Sequence, residues 1–157
     1  MNGCRFPAAP QGRFFEDFTV GDEIVTPSYR IHPADVVAFR RMYGGTLVAA
    51  ENADDEGGSR LHVSLTQLMP IAFRLLYDTG ELRRGMGSPG MDEVRYHHPV
   101  FSGESIRVVA EIASVRPSSK RMDRGSATLA ISVYNQEQVL VLSFSCIQIV
   151  QTRTKPT

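Results

Sequence analysis

Residues 64–77, which read SLTQLMPIAFRLLY, decide the fold of this chain. The pattern predicts a helix, and its apolar residues occupy most of the helix circumference. These residues are Leu65, Leu68, Met69, Ile71, Ala72, Phe73, Leu75 and Leu76. A helix that is apolar on nearly every side has to be buried on several sides. Pro70 predicts a local irregularity within the first two turns, and Gly80 is expected to end the element.

A strand and a shorter helix are predicted before this stretch. Residues 23–31 have the β-branched content of a strand, and Pro27 within them indicates an edge position or a bulge. Pro33 is expected to begin a helix, because its missing N–H costs nothing at a first helical position. The apolar stripe of that helix consists of Val36, Val37, Phe39 and Tyr43. Gly44 and Gly45 follow it as a stop signal.

Four strands are predicted after the long helix, at residues 91–98, 105–115, 126–134 and 139–150, following a loop at 80–90. The last three alternate, which places one apolar set on one face of a sheet. That set is Ile106, Val108, Ala110, Ile112, Leu129, Ile131, Val133, Leu140, Leu142, Phe144 and Cys146. His97 and His98 alternate as well, so one of them is expected to face inward. The element order predicts an α+β fold, in which a long curved antiparallel sheet wraps a buried helix.

The composition fits one domain of 157 residues, expected at 13–152 between a poorly ordered N-terminal tail at 1–12 and a short tail at 153–157. Seventeen basic and seventeen acidic residues balance, so neither nucleic acid nor an anionic membrane is expected as a partner. Cys4 and Cys146 are not expected to form a disulfide framework, and neither a secretory signal nor a membrane-spanning segment is expected. A reduced, cytoplasmic protein without a metal site is therefore expected.

Several segments of the chain resemble the MaoC-like acyl-CoA dehydratases, which include the (R)-specific enoyl-CoA hydratases. They are RFFEDFTVGD at 13–22, ADVVAF at 34–39, SPG at 88–90, RYHHPVFSGE at 95–104, Arg124-Gly125 and Asn135-Gln136. The resemblance covers nearly the whole chain after residue 12. It implies a hotdog fold, a homodimer with a joined sheet, an acyl-CoA thioester as ligand, and reversible hydration of an enoyl thioester. It implies no cofactor.

The catalytic signature of that family is an Asp followed, after four residues, by a His, and the two side chains grip one water as general base and acid. The Asp position falls on Gly44 or Gly45 here, and the His position falls on Ala49 or Ala50. The family also has a glycine-rich turn before the buried helix, whose N–H groups hold the thioester carbonyl.

Two residues of this chain occupy that glycine-rich turn. Ser64 matches the family's Ser or His, whereas Leu65 replaces the glycine that follows it. A leucine side chain is expected to crowd the close approach of a carbonyl to the backbone.

Four residues are candidates for the site: His62, Ser64, Leu65 and Arg95. His62 precedes the helix, where it is either a relocated catalytic base or carbonyl donor, or a half-buried histidine that packs against a loop. Arg95 is suited either to a CoA phosphate or substrate acid, or to a structural ion pair. Ser64 and Leu65 are substrate-binding candidates through the turn they form.

Three functions remain open at this point. The first is a hydratase or dehydratase, hence a hydro-lyase, that uses unconventional residues. The second is a catalytically silent hotdog protein that binds an acyl thioester or serves as the structural half of a two-subunit enzyme. The third is a hotdog thioesterase, which ranks last because residues 64–77 contain no acid to activate water.

Overall fold

The computed structural model describes residues 12–44 and 60–153, which form two helices and one antiparallel sheet. The helices are α1 (Pro33–Tyr43) and α2 (Leu65–Asp78). The strands are β1 (Glu23–Val25), β2 (Tyr29–Arg30), β3 (Gly85–Tyr96), β4 (Ser105–Pro117), β5 (Arg124–Asn135) and β6 (Leu140–Gln151). A single turn of 3-10 helix precedes them at Phe15–Asp17.

The six strands form one sheet in the order β1-β4-β5-β6-β3, and β2 pairs with β4 beyond the end of β1. Every neighbouring pair is antiparallel. The segregation of two helices from an antiparallel sheet confirms the predicted α+β class.

The inner face of the sheet is set by the alternation of β4, β5 and β6. Cross-strand partners share a face, and the pairs Leu129–Cys146 and Ile131–Phe144 are both buried. The expected inward residues are buried with one exception. Leu140 is only half-buried, because an irregularity in the β5–β6 pairing places the extra residue Val141 in the interior instead.

Helix α2 packs on this inner face. Its buried residues Leu68, Ala72, Leu75 and Leu76 belong to the same apolar cluster as the inward residues of the sheet. The opposite side of α2 differs from the prediction of burial on several sides. Leu65 and Tyr77 are exposed, and Phe73 is only half-buried. Within residues 12–44 and 60–153, no second layer covers that side of the helix.

Two element boundaries differ from the sequence-based expectation. Strand β3 begins at Gly85 rather than at Met91, because its backbone pairs with β6 from Gly85–Val150 onward in spite of its glycines. The first predicted strand is divided into β1 and β2 around Pro27, which cannot donate to the ladder. Helix α2 continues through Pro70, whose side chain is exposed.

The two edges of the sheet are unequal. On one edge, β1 and β2 contain three and two residues. On the other, β3 contains 12 residues, and its outer side has no strand partner among the described residues. Met86 and Met91 of this strand are exposed. The β3 edge is therefore the side at which this sheet can be extended.

Gly125 provides the surface on which the N-terminal segment packs. A Cβ atom built on Gly125 would overlap the aromatic ring of Phe15. The neighbouring Phe14 ring lies under the guanidinium of Arg84, whose Cζ is 3.7 Å from the ring centroid. The glycine at the start of β5 is therefore required by contact with the segment before β1, not by backbone conformation.

Replacement of Gly125 by Ala is expected to lower the free energy of unfolding by about 1–3 kcal/mol, the usual cost of overpacking a close contact. Chemical denaturation of the purified variant measures this change. Gly90→Ala is the matched control, since it is also a strand glycine but a Cβ there meets no atom within 4 Å. Equal stability of the two variants would contradict the assigned role of Gly125.

Candidate functional site

A groove of about 390 Å³ lies between the second half of α2 and the edge strand β3. Its lining residues are Phe73, Tyr77, Ser88, Pro89, Gly90 and Met91. The volume falls in the range of small-ligand sites, and the lining combines apolar side chains with the hydroxyls of Tyr77 and Ser88. One wall of the groove is the side of α2 that the sheet does not cover.

Aromatic contacts fix the helix wall of the groove. The ring of Phe73 lies 6.2 Å from that of Tyr77 in a stacked arrangement, and 5.5 Å from that of Phe144 on β6. Phe144 is buried in the core, so it anchors Phe73 to the sheet. Tyr77 remains 44% exposed, which leaves its ring available to an apolar ligand.

The first turn of α2 lies at the other end of the helix from the groove. Ser64 precedes the helix, and its hydroxyl is 2.8 Å from that of Thr66 rather than bonded to a backbone amide. Within the described residues, the amide N–H groups of Leu65 and Thr66 have no acceptor. Free N–H groups at a helix start attract negative charge and carbonyl oxygens. The Leu65 side chain is 39% exposed, so it is directed away from the core.

The described part of the predicted dyad stretch is Gly44. It follows α1 with a φ of 81° and is exposed, so it contributes a backbone conformation that favours glycine and no side chain. Gly45, Ala49 and Ala50 lie outside the described residues.

His62 lies beside the start of α2 and packs against Phe101. The two residues form an isolated antiparallel bridge, and their rings meet edge to face at 5.5 Å. The His62 carbonyl accepts a hydrogen bond from Nη2 of Arg40. No carboxylate in residues 12–44 or 60–153 bonds the His62 ring, so nothing described there orients it as a base.

An ion pair stabilises the segment that carries His62. Nη2 of Arg60 donates to Oε1 of Glu104 at 2.6 Å, and the same guanidinium lies over the Phe101 ring. Burial raises the pKa of the Glu104 carboxyl, while the positive charge of Arg60 acts in the opposite direction. The pair therefore anchors the entry to α2 next to His62.

Arg95 lies apart from the other candidate residues. Its Cα pairs with Ser143, between the inward residues Leu142 and Phe144 of β6, so Arg95 is on the face of the sheet opposite to α2. Its Nη1 donates to the carbonyl of Val94.

His97 and His98 are both exposed, and the expectation that one faces inward is wrong. The reason is that β3 ends at Tyr96, before the alternation reaches them. The imidazole Nε2 of His97 is 2.8 Å from the hydroxyl of Ser143.

The structure thus brings together three of the four predicted site residues, His62, Ser64 and Leu65, at the start of α2. The groove residues Tyr77 and Ser88 were missed. Two features of the sequence could have indicated the groove. One is that α2 has more apolar residues than a single sheet face can cover, and the other is the Gly-Ser-Pro-Gly run that interrupts the pairing of β3.

The described residues contain neither a metal-binding cluster nor a membrane-spanning helix. No group of three or more His, Cys, Asp or Glu residues there could hold a metal ion. Neither described helix is long and apolar enough to cross a bilayer.

Comparison of sequences gave no match: neither a protein-family model nor a curated protein matches this chain. Comparison of structures matched many solved chains. A MaoC-like dehydratase from Rhodospirillum rubrum is 26% identical over 92% of this chain and 100% of its own, with a TM-score of 0.76. A Mycobacterium tuberculosis protein with a double hotdog fold is 19% identical over 94% of this chain and 47% of its own, with a TM-score of 0.74.

An (R)-hydratase from A. caviae, involved in PHA biosynthesis, is 22% identical over 85% of this chain and 97% of its own, with a TM-score of 0.62. Each of these matches covers at least 85% of this chain, so the chain shares their overall fold. By its fold, the chain is a hotdog protein, and its structure is similar to those of MaoC-like dehydratases and (R)-hydratases.

Proposed function

We propose that this protein binds an acyl-CoA thioester, with the acyl chain in the groove between α2 and β3. The observation that carries the proposal is the position of that groove on the one side of α2 that the sheet leaves uncovered. An apolar chain gains about 0.8 kcal/mol for each methylene that it buries there. The names of the structural neighbours, a MaoC-like dehydratase and an (R)-hydratase, support the same class of ligand.

The start of α2 is the proposed position of the thioester carbonyl. The N–H groups of Leu65 and Thr66 have no acceptor among the described residues, and the helix dipole favours a developing negative charge there. Phe73 follows Leu65 by about 12 Å along the helix, and Tyr77 by about 18 Å, at 1.5 Å per residue. A medium-length acyl chain lying along α2 would therefore reach both aromatic rings.

The proposed reaction, where the protein turns its ligand over, is reversible hydration of an enoyl thioester. His62 lies three residues before Leu65, the first residue of α2. It would act as the proton carrier, because no Asp–His pair occupies the family positions at Gly44, Gly45, Ala49 and Ala50.

A silent acyl-thioester-binding subunit is the second candidate function. Its supporting observation is that the His62 ring packs on Phe101 without an orienting carboxylate among the described residues. Such a subunit would bind the thioester, or support a catalytic partner chain, without turnover.

Binding and turnover are separated by one set of measurements. Calorimetry with trans-2-decenoyl-CoA is expected to give saturable binding, and Tyr77→Ala to weaken it by about tenfold through lost apolar burial. Tyr134→Ala is the control, because that ring packs on Arg107 of β4, away from the groove. The absence of binding, or equal losses in the two variants, would contradict the proposal.

Absorbance of the conjugated thioester, with crotonyl-CoA and trans-2-decenoyl-CoA, distinguishes the two candidate functions. A decrease in absorbance that His62→Ala abolishes identifies a hydratase with His62 as its catalytic residue. Turnover that persists in His62→Ala removes His62 from the mechanism. Saturable binding with constant absorbance identifies the silent subunit.

We also propose that the protein is a homodimer joined through β3. A strand of 12 residues with an open outer edge can pair with a second copy, and the exposed Met86 and Met91 supply apolar contact. The joined sheet would place a second chain beside the groove and so cover part of the exposed side of α2.

Sedimentation velocity at micromolar concentration is expected to report a dimer. Met91→Lys is expected to shift the protein toward the monomer, because an ammonium group at the joined edge loses hydration. Val25→Lys is the matched control, since Val25 is exposed on the opposite edge strand β1. A stable wild-type monomer, or equal dissociation of both variants, would refute the β3 dimer.

A further inference from the structure

The side chains of β6 that face the core are apolar except at two consecutive inward-facing positions near the groove. Leu142, Phe144 and Val150 are buried there, and Cys146 and Gln148 lie between them, each only 1% exposed. The Oε1 atom of Gln148 is buried and has no hydrogen-bond partner among residues 12–44 and 60–153. A buried polar group without a partner costs stability, so its position calls for a functional explanation.

These two residues connect to the groove through a bulge in β3. Gly87 pairs with Ile149 and Gly90 pairs with Ile147, so β3 has one residue more than β6 over this interval. The extra residue changes the direction of a side chain, as bulges near binding sites often do. The result is that the Ser88 hydroxyl lies 3.2 Å from Sγ of Cys146 while it lines the groove.

Hydrogen bonds connect Gln148, Cys146 and Ser88 in sequence. Nε2 of Gln148 donates to Sγ of Cys146 at 3.3 Å. The thiol lies 3.2 Å from the Ser88 oxygen and 3.8 Å from the Ile147 carbonyl, and it can donate to either. The Ser88 hydroxyl donates to the Gly90 carbonyl at 3.3 Å, a long bond that a ligand oxygen can replace. Ser88 therefore presents a donor to the groove.

We infer that Ser88, supported by Cys146 and Gln148, selects an acyl chain that carries a hydroxyl oxygen far from its thioester. The inference rests on the proposed function, because it assumes that the acyl chain lies along α2 with its carbonyl at the first turn. Ser88 borders Phe73 and Tyr77, in the second half of the helix. The oxygen is therefore distant from the carbonyl, and the remainder of the chain contacts the rings of Phe73 and Tyr77.

Calorimetry with matched pairs of ligands tests the inference: octanoyl-, decanoyl- and dodecanoyl-CoA, each against its ω-hydroxy counterpart. At the best-fitting length, the hydroxylated ligand is expected to bind about three- to tenfold more tightly, the value of one net hydrogen bond. Ser88→Ala is expected to reduce that preference to within about twofold. Ser145→Ala is the control, since Ser145 is on β6 but pairs with Asp92 on the opposite face.

Gln148→Leu gives a second readout that a purely structural role would not produce. Removal of the unpaired amide oxygen is expected to raise the denaturation midpoint and, in the same protein, to lower the preference for the hydroxylated ligand. A raised midpoint with an unchanged preference would show that Gln148 does not support Ser88, and would overturn that part of the inference.

The remaining outcomes separate the inference from the proposed function. Binding of both members of each pair with equal affinity, or a preference that Ser88→Ala leaves intact, overturns the role of Ser88 and leaves acyl-CoA binding in place. Failure of every acyl-CoA to bind overturns the proposed function, and the inference with it.

Discussion

Packing of α2 against the inner face of β4, β5 and β6 is the contact on which the rest of the structure depends. It brings Leu68, Ala72, Leu75 and Leu76 into one cluster with the inward residues of the three long strands. Burial of these side chains supplies the main driving force for folding. Because the helix is apolar on more sides than the sheet can cover, the same contact leaves an apolar surface at Phe73 and Tyr77. The groove is a direct consequence of that excess.

The length of helix α2 also determines the distance between the two ends of the proposed site. Its first turn offers N–H groups beside His62, and its second half carries the aromatic wall of the groove. Core packing fixes both ends of the helix relative to each other and to β3. A side-chain change within the buried face of α2 would therefore alter the groove without touching a ligand, since packed interiors transmit displacement.

Much of the fold could be predicted from periodicity, and the exceptions have a common cause. Both helices and the strands β4, β5 and β6 have strong patterns, so their positions and most of their inward residues were predictable. Leu140, the start of β3 and the pair His97 and His98 were not, because bulges and strand ends change the alternation by one residue. A single pattern does not reveal where such a change occurs.

The site was predictable where it is local and not where it is assembled from distant segments. His62, Ser64 and Leu65 are close in sequence, and the structure places them together at the start of α2. The groove joins α2 to a bulged part of β3, and Ser88 meets Cys146 across 58 positions of the chain. Arg95 illustrates the same limit, because one step of strand register decides which face of the sheet it occupies.

The unequal edges of the sheet limit how many copies of the protein can associate by strand pairing. Strand pairing can continue only where a long, open edge is available, and here β1 and β2 are short and separated by Pro27. Two copies joined at β3 would each use the long open edge of their sheet. The two outer edges of the dimer would then consist of the short strands β1 and β2, which offer little backbone for further pairing. Association by strand pairing would then stop at a closed, twofold-symmetric unit and could not propagate into a filament.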